Sequence, residues 1–162
     1  MANRIKNRAK GESYKDSFDR IKLSREKGFP LEAISLIESI LSDRLLSNAV
    51  GTHQLRKKPE KAVKTSFYEL IKFFKEYAKE NDDKEAAELA LVLDDWRNRR
   101  NVLVHAAVKS YPTTAPKMRP PEFRVEAARV AQEGIRHARR LLRWYRGRLR
   151  AIGASIPAEP LI

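Results

Sequence analysis

Apolar residues recur at spacings of three and four along almost the whole chain, and this period constrains the fold more than any other feature. The spacing is that of one face of an α-helix, and no segment alternates apolar and polar residues as a half-buried strand does. Only six glycines are scattered over the 162 residues. The sequence therefore predicts an all-α fold, a bundle of four to five helices.

Two residues mark the junction between the first and second helices. A first helix is predicted over 13–27, and Gly28 ends it as a left-handed C′ residue does. Pro30 suits the first turn of the second helix, where a missing N–H leaves no hydrogen bond unmade. The apolar positions expected to face the core are Phe18, Ile21 and Leu23 in the first helix and Ile34, Leu36, Ile37, Ile40, Leu41 and Leu45 in the second.

Capping residues also mark the third and fourth helices. After a polar, basic stretch over 51–64 that we interpret as a loop, Ser66 and Glu69 have the spacing of a capping box. The sequence Asn81-Asp82-Asp83 ends the third helix and caps a fourth over 84–109. These two helices are therefore expected to be neighbours joined by a short turn.

A proline-rich segment separates the last helix from the others. Four prolines fall between 111 and 121, and proline is not tolerated in a helix interior. A fifth helix is predicted over 122–151. We expect a basic, flexible N-terminus over 1–12, a single helical domain over 13–151 and an irregular tail over 152–162.

Composition narrows the classes of function. The chain has no cysteine, which excludes a disulfide framework, cysteine-ligated zinc and a cysteine nucleophile. No apolar run approaches the roughly 20 residues that span a bilayer, and the basic N-terminus continues into polar sequence. We expect a cytoplasmic protein without a membrane partner. The net charge of +13 would attract nucleic acid, an acidic protein or an anionic surface.

The fourth helix carries an arginine within its apolar stripe. The stripe runs through Leu89, Leu93, Trp96, position 100, Leu103 and Ala107, and position 100 is Arg100. A guanidinium there must be paired or lie at an opening in the core. Arg97, Asn101 and His105 follow one another at intervals of four and share the adjacent face of the helix.

These residue types suit RNA cleavage without a metal ion. The imidazole of His105 can exchange protons near neutral pH, and Arg100 can stabilise the charge that builds on a phosphate under attack by a 2′-hydroxyl. Asn101 can orient His105 or hold a phosphate oxygen. One histidine supplies only half of an acid–base pair, so a second subunit would have to supply the other. The alternative, that His105 is an ordinary surface residue on a basic helix, stays open.

The string Arg100-Asn101-Val102-Leu103-Val104-His105 resembles the R-N-x-x-x-H motif of the HEPN superfamily (higher eukaryotes and prokaryotes nucleotide-binding domains). HEPN domains are all-α bundles of about this size, and the likeness extends over 29–150. The second helix also looks like the early HEPN helix, in which an acidic residue often points at the motif. Glu38 is the candidate for this residue, with a plain surface glutamate as the alternative.

The resemblance implies a metal-independent endoribonuclease with no cofactor. It implies Arg100, His105 and Asn101 as the catalytic group, with Glu38 and Arg97 supporting them. Such proteins usually form homodimers in which two motifs build one composite site. Many prokaryotic relatives are toxins or phage-defence effectors, so an antitoxin or inhibitor protein is an expected partner. One toxin subgroup has a tyrosine two residues after the histidine, where this chain has alanine.

The fifth helix supplies more than half of the net charge. Nine arginines and two glutamates between 124 and 150 give a local charge of 9 − 2 = +7. Four arginines of one stripe, with Trp144 and Tyr145 nearby, are the predicted RNA-binding residues: Arg136, Arg139, Arg140 and Arg143. A solvated face is the alternative for this stripe, and His137 within it is expected to be exposed. For the whole chain, a non-catalytic RNA-binding module and a basic adaptor for an acidic protein also remain open.

Overall fold

The computed structural model describes residues 2–52, 64–108, 118 and 120–153, with side chains from residue 11 onward except those of 107 and 108. These residues form five helices and no strand, which confirms the predicted all-α fold. The helices are α1 (Ala2–Glu26), α2 (Pro30–Gly51), α3 (Phe67–Glu80), α4 (Lys84–Val108) and α5 (Pro120–Ala151). None of the described helices is long and apolar enough to cross a membrane.

Four of the helices pack as a closed bundle. Helix α2 packs against α3 and α5, and α4 packs against the same two helices from the opposite side, while α1 lies along α2. Each of the four helices buries an apolar stripe against two neighbours, as a bundle requires. The predicted core residues of α2 are buried, except Leu36, which is partly exposed.

The centre of the core is built around Trp96 of α4. Its indole Nε1 donates a 2.9 Å hydrogen bond to the carbonyl oxygen of Val130 in α5, and its ring meets Phe67 of α3 edge-on. A Cβ on Gly134 would lie 2.8 Å from Trp96 Cζ2 and 2.9 Å from Ile37 Cγ2. Only glycine fits at this position of α5, and α2, α4 and α5 therefore approach each other closely just before the arginine-rich turn of α4.

The predicted helix ends at capping residues are confirmed. Gly28 has φ of 77°, and Pro30 begins α2. Both halves of the Ser66–Glu69 capping box are formed, and Asp83 Oδ1 accepts the backbone N–H of Ala86 at 2.9 Å to cap α4. Local sequence is enough to specify these ends because each cap joins residues two to four positions apart.

Three details of the sequence prediction were wrong. Helix α1 begins at Ala2 rather than at residue 13, and α5 begins at Pro120, two residues early, because proline is accepted in a first turn. Leu23 is 53% exposed; Tyr14 and Ser24 of α1 are buried in addition to Phe18 and Ile21. Most of the predicted loop over 51–64, most of the proline-rich segment and the tail beyond 153 lie outside the described residues.

Candidate functional site

Arg100 interrupts the buried stripe of α4 and is held by two partners. Leu93, Trp96 and Leu103 of that stripe are fully buried, whereas the Arg100 side chain is 22% exposed. Its Nη2 forms an ion pair with the carboxylate of Glu38, and its Nη1 donates a 2.5 Å hydrogen bond to Asn101 Oδ1. Burial lowers the pKa of Arg100, in the direction expected for a cation partly removed from water.

Glu38 reaches Arg100 from α2 because of where Ile37 is packed. Ile37 is fully buried at the close approach of α2, α4 and α5, and Glu38 follows it on the edge of the same buried face. The side chain of Glu38 is 22% exposed, as is that of Arg100. The structure thus brings together the acidic residue and the motif arginine that the sequence analysis proposed to be neighbours, although 62 positions separate them.

Asn101 and His105 follow Arg100 in the sequence of α4 and lie on the face next to its buried stripe. Asn101 is half-buried and its amide oxygen is turned to Arg100, whereas His105 is exposed to solvent. Four residues of α-helix separate the two by about 6 Å along the helix axis. The predicted catalytic residues therefore share one helix, in which the guanidinium of Arg100 is held in place and the imidazole of His105 is accessible.

Arg97, the predicted supporting residue, is anchored one turn before Asn101. Its Nη2 and Nε donate to Asp94 Oδ1 at 2.9 and 3.1 Å, and its guanidinium lies 4.8 Å from the centre of the Tyr68 ring in α3. Asp94 also accepts a 2.7 Å hydrogen bond from Lys75 Nζ. The hydrogen bond from Lys75 is the largest of the effects that hold the pKa of Asp94 below its usual value.

Arg99 joins α4 to α5 through an ion pair. It was not among the residues predicted from the sequence to belong to the site. Its Nε lies 3.1 Å from Asp95 Oδ2, and its Nη2 forms an ion pair with Glu133. Glu133 also lies 3.1 Å from Nη1 of Arg129. Burial opposes ionisation of Glu133, but the hydrogen bond and charge of Arg99 prevail, and the pKa of Glu133 is lowered.

The four predicted RNA-binding arginines of α5 separate into two groups. Arg136, Arg139 and Arg143 are exposed, and none of them forms a salt bridge with the described part of the chain. Arg140 is partly buried, with its Nη2 2.7 Å from Glu88 Oε2 and its Nε 3.9 Å from Glu85 Oε1 of α4. Three of the four side chains are therefore open to a phosphate, and Arg140 is engaged between helices.

The aromatic residues near this stripe are not available for stacking, contrary to the sequence interpretation. Trp144 is only 6% exposed, donates a 2.9 Å hydrogen bond from Nε1 to Asp83 Oδ2 and packs edge-on against Phe74. Tyr145 is half-buried, and the guanidinium carbon of Arg44 lies 5.0 Å from the centre of the Tyr145 ring. Both aromatic rings belong to the side of α5 that faces the bundle.

His137 differs from the expectation of an exposed residue. The side chain is half-buried, and burial lowers its pKa. The charges of Arg136, Arg99 and Arg140 add to this effect, while Glu133 acts in the opposite direction. Since α4 contributes one of these arginines, residue spacing along α5 alone did not reveal this environment.

The arrangement as a whole can bind and act on an anion. It offers a fixed guanidinium, an accessible imidazole on the same helix and exposed arginines on a second helix. No three His, Asp or Glu side chains of the described residues converge into a metal-binding group. No family model, curated protein or solved structure matches this chain.

Proposed function

We propose that this protein is a metal-independent endoribonuclease of the HEPN type that acts as a homodimer. The observation that carries the proposal is the fixed guanidinium of Arg100, held by Glu38 and Asn101. An arginine with its orientation set in advance is suited to a charge that exists only in the transition state. The exposed His105, five residues further along α4, supplies an imidazole that can accept or donate a proton.

In the proposed reaction, an RNA 2′-hydroxyl attacks its own phosphodiester. One His105 removes the proton from the 2′-oxygen, and Arg100 stabilises the negative charge of the pentavalent phosphorane. The bond to the 5′-oxygen then breaks, and the partner's His105 donates a proton to that leaving oxygen. The products are a 2′,3′-cyclic phosphate and a 5′-hydroxyl. Asn101 keeps Arg100 in place, and no cofactor takes part.

The exposed arginines of α5 support RNA as the substrate. Arg136, Arg139 and Arg143 add three positive charges without described salt-bridge partners, and such charges bind a phosphate backbone by releasing its counterions. A toxin or phage-defence effector controlled by an antitoxin is the biological setting that we propose. A cytoplasmic location belongs to the same proposal.

The test is single-turnover cleavage of RNA in the presence of EDTA. We expect the parent to cleave, and we expect His105→Ala and Arg100→Ala each to lower the rate by about 100-fold or more. His53→Ala is the matched control, because it removes a histidine that has no motif around it. Cleavage products of the parent should carry 2′,3′-cyclic phosphate ends.

Two other outcomes would support different functions. Cleavage that persists in His105→Ala would contradict the catalytic assignment. Tight RNA binding by a parent that does not cleave would favour a non-catalytic RNA-binding module, which the unpaired arginines of α5 would equally support. Weak RNA binding at moderate salt would favour a basic adaptor for an acidic protein partner.

A further inference from the structure

Tyr68 of α3 is a large aromatic side chain that the bundle leaves at the surface. It is 48% exposed, although its neighbours Phe67 and Leu70 are buried in the core. The residue does not belong to the buried stripe of α3, so packing of the bundle does not account for it. An exposed ring beside cationic side chains is a typical element of surfaces that bind single-stranded nucleic acid.

Two cationic side chains flank this ring. The guanidinium of Arg97 lies 4.8 Å from the ring centre and the Lys72 ammonium 5.8 Å from it. Arg97 is fixed by Asp94, and Asp94 is fixed in turn by Lys75. Arg97 thus holds the ring of Tyr68 from α4. The side chain of Lys72 is exposed and flexible, so its ammonium group can move to a nearby anion.

The cluster of Tyr68, Lys72 and Arg97 is connected to the proposed catalytic residues through α4, the helix that carries Arg97. Arg97, Asn101 and His105 succeed one another at intervals of four residues on the same side of α4. Arg97 and His105 are eight positions apart, which corresponds to about 12 Å along the helix axis. A short stretch of single-stranded RNA that passes over His105 can therefore continue to Tyr68.

We propose that Tyr68 and Lys72 form a subsite for a nucleotide that flanks the cleaved phosphate, in which the base stacks on the Tyr68 ring and Lys72 contacts a phosphate. This proposal deepens the proposed ribonuclease function and rests on it. The substrate class is single-stranded RNA, because the face of a base is free to stack only where the base is not paired in a helix.

The chemistry of the cluster distinguishes this ligand from an acidic peptide. An acidic peptide would use the charges of Lys72 and Arg97 and gain nothing specific from the ring. A nucleic acid strand uses both the charges and the ring. The ring therefore contributes to binding only when the strand carries bases, and this difference is measurable.

The experiment compares two strands in the His105→Ala background, which leaves the strand intact. One strand is an oligoadenylate about ten nucleotides long, and the other is an abasic ribose-phosphate strand of equal length. Tyr68→Ala should weaken oligoadenylate binding about ten-fold and leave binding of the abasic strand unchanged. Tyr68→Phe keeps the ring and should bind both strands as the background does. Leu91→Ala, which removes another exposed apolar side chain, is the control and should change neither affinity.

Lys72→Gln provides the second arm. It should weaken binding of both strands to the same extent and reduce the slope of log affinity against log salt concentration by about 0.7. Equal affinity losses for the two strands in Tyr68→Ala, or no loss at all, would overturn the proposal. The failure of the proposed function is read separately, in His105-dependent cleavage by the parent, whereas the subsite is read in the preference for the strand that carries bases.

Discussion

Three arginines of α4 and three arginines of α5 have different environments although their side chains are identical. Each of the three arginines at 97, 99 and 100 of α4 is partly buried and forms an ion pair with a carboxylate. In α5, Arg136, Arg139 and Arg143 are exposed and form no salt bridge with the described residues. The first group lies where helices meet, and the second lies on the outer side of the bundle.

The paired arginines of α4 contribute a fixed geometry, whereas the exposed arginines of α5 contribute charge. A paired, partly buried guanidinium has a fixed orientation, and removing its partner leaves a charge that water solvates poorly. An exposed guanidinium contributes charge at almost no cost to folding, since its loss changes no buried contact. We therefore expect variants of Arg97, Arg99 and Arg100 to affect stability and chemistry, and variants of the three exposed α5 arginines to affect RNA binding alone.

The largest expected effect is on RNA binding through α5. Replacing Arg136, Arg139 and Arg143 together by glutamine should remove the three proposed phosphate contacts. The salt slope should then fall by about 0.7 for each contact, and binding should weaken roughly 100-fold at 0.1 M salt. The measurement is a titration of single-stranded RNA at several salt concentrations in the His105→Ala background. The melting temperature should stay close to that of the parent.

Replacing the same three arginines by lysine is the matched control. Lysine keeps the charge, so the salt slope should return to the parent value. If the glutamine variant kept its salt dependence, the RNA would have to lie elsewhere on the molecule. If it unfolded at a lower temperature by many degrees, the contrast between α4 and α5 would be wrong.

An intermediate effect is expected for the Glu38–Arg100 pair. Glu38→Gln leaves the partly buried Arg100 without its carboxylate and should lower the free energy of unfolding by about 2 kcal/mol, measured by urea denaturation. Cleavage should also slow, because Arg100 loses its fixed orientation. Arg136→Gln is the comparison from α5 and should change stability by less than about 0.5 kcal/mol.

The double variant Glu38→Gln/Arg100→Gln distinguishes an ion pair from two independent residues. Because both charges are removed, it should be less destabilised than the sum of the two single variants. Strict additivity would show that the pair contributes nothing to stability. The double variant should not cleave RNA in either case, since it lacks the Arg100 guanidinium.

The smallest expected effect is a pH dependence at His137, between the two groups of arginines. Burial, together with the charges of Arg136, Arg99 and Arg140, lowers the pKa of His137 in the folded protein. As the pH falls through the ordinary pKa near 6.5, the unfolded chain gains the proton first, and the free energy of unfolding decreases. His137→Gln should lose less stability than the parent between pH 7.5 and pH 5. An identical pH profile in the two proteins would contradict this environment for His137.

Local sequence was sufficient to predict most of the helices. Gly28, Pro30 and the Ser66–Glu69 capping box act over a few residues, and the structure forms each of them as predicted. The start of α1 was missed, because the polar and basic residues before 13 carry no apolar stripe that would indicate a helix. Side-chain exposure was harder to predict, as Leu23 shows, because it depends on which face of α1 packs against α2.

The candidate site was predictable in part. The motif residues share α4, so their relative positions follow from helix geometry, and Glu38 was proposed as the acidic neighbour of Arg100 through the family resemblance. The engagement of Arg140 with Glu88 and the burial of Trp144 were not predictable, because their partners lie on other helices. Tyr68 was missed for the same reason.

The sequence by itself determined the periodicity, the caps and the spacing along each helix, because these depend on a fixed rise of about 1.5 Å per residue. It thereby determined that Arg97, Asn101 and His105 share one side of α4. Only the tertiary structure decided which arginines are paired and which are free. That choice depends on how helices pack around Trp96 and Gly134, where contacts between distant residues set each side chain's exposure to water.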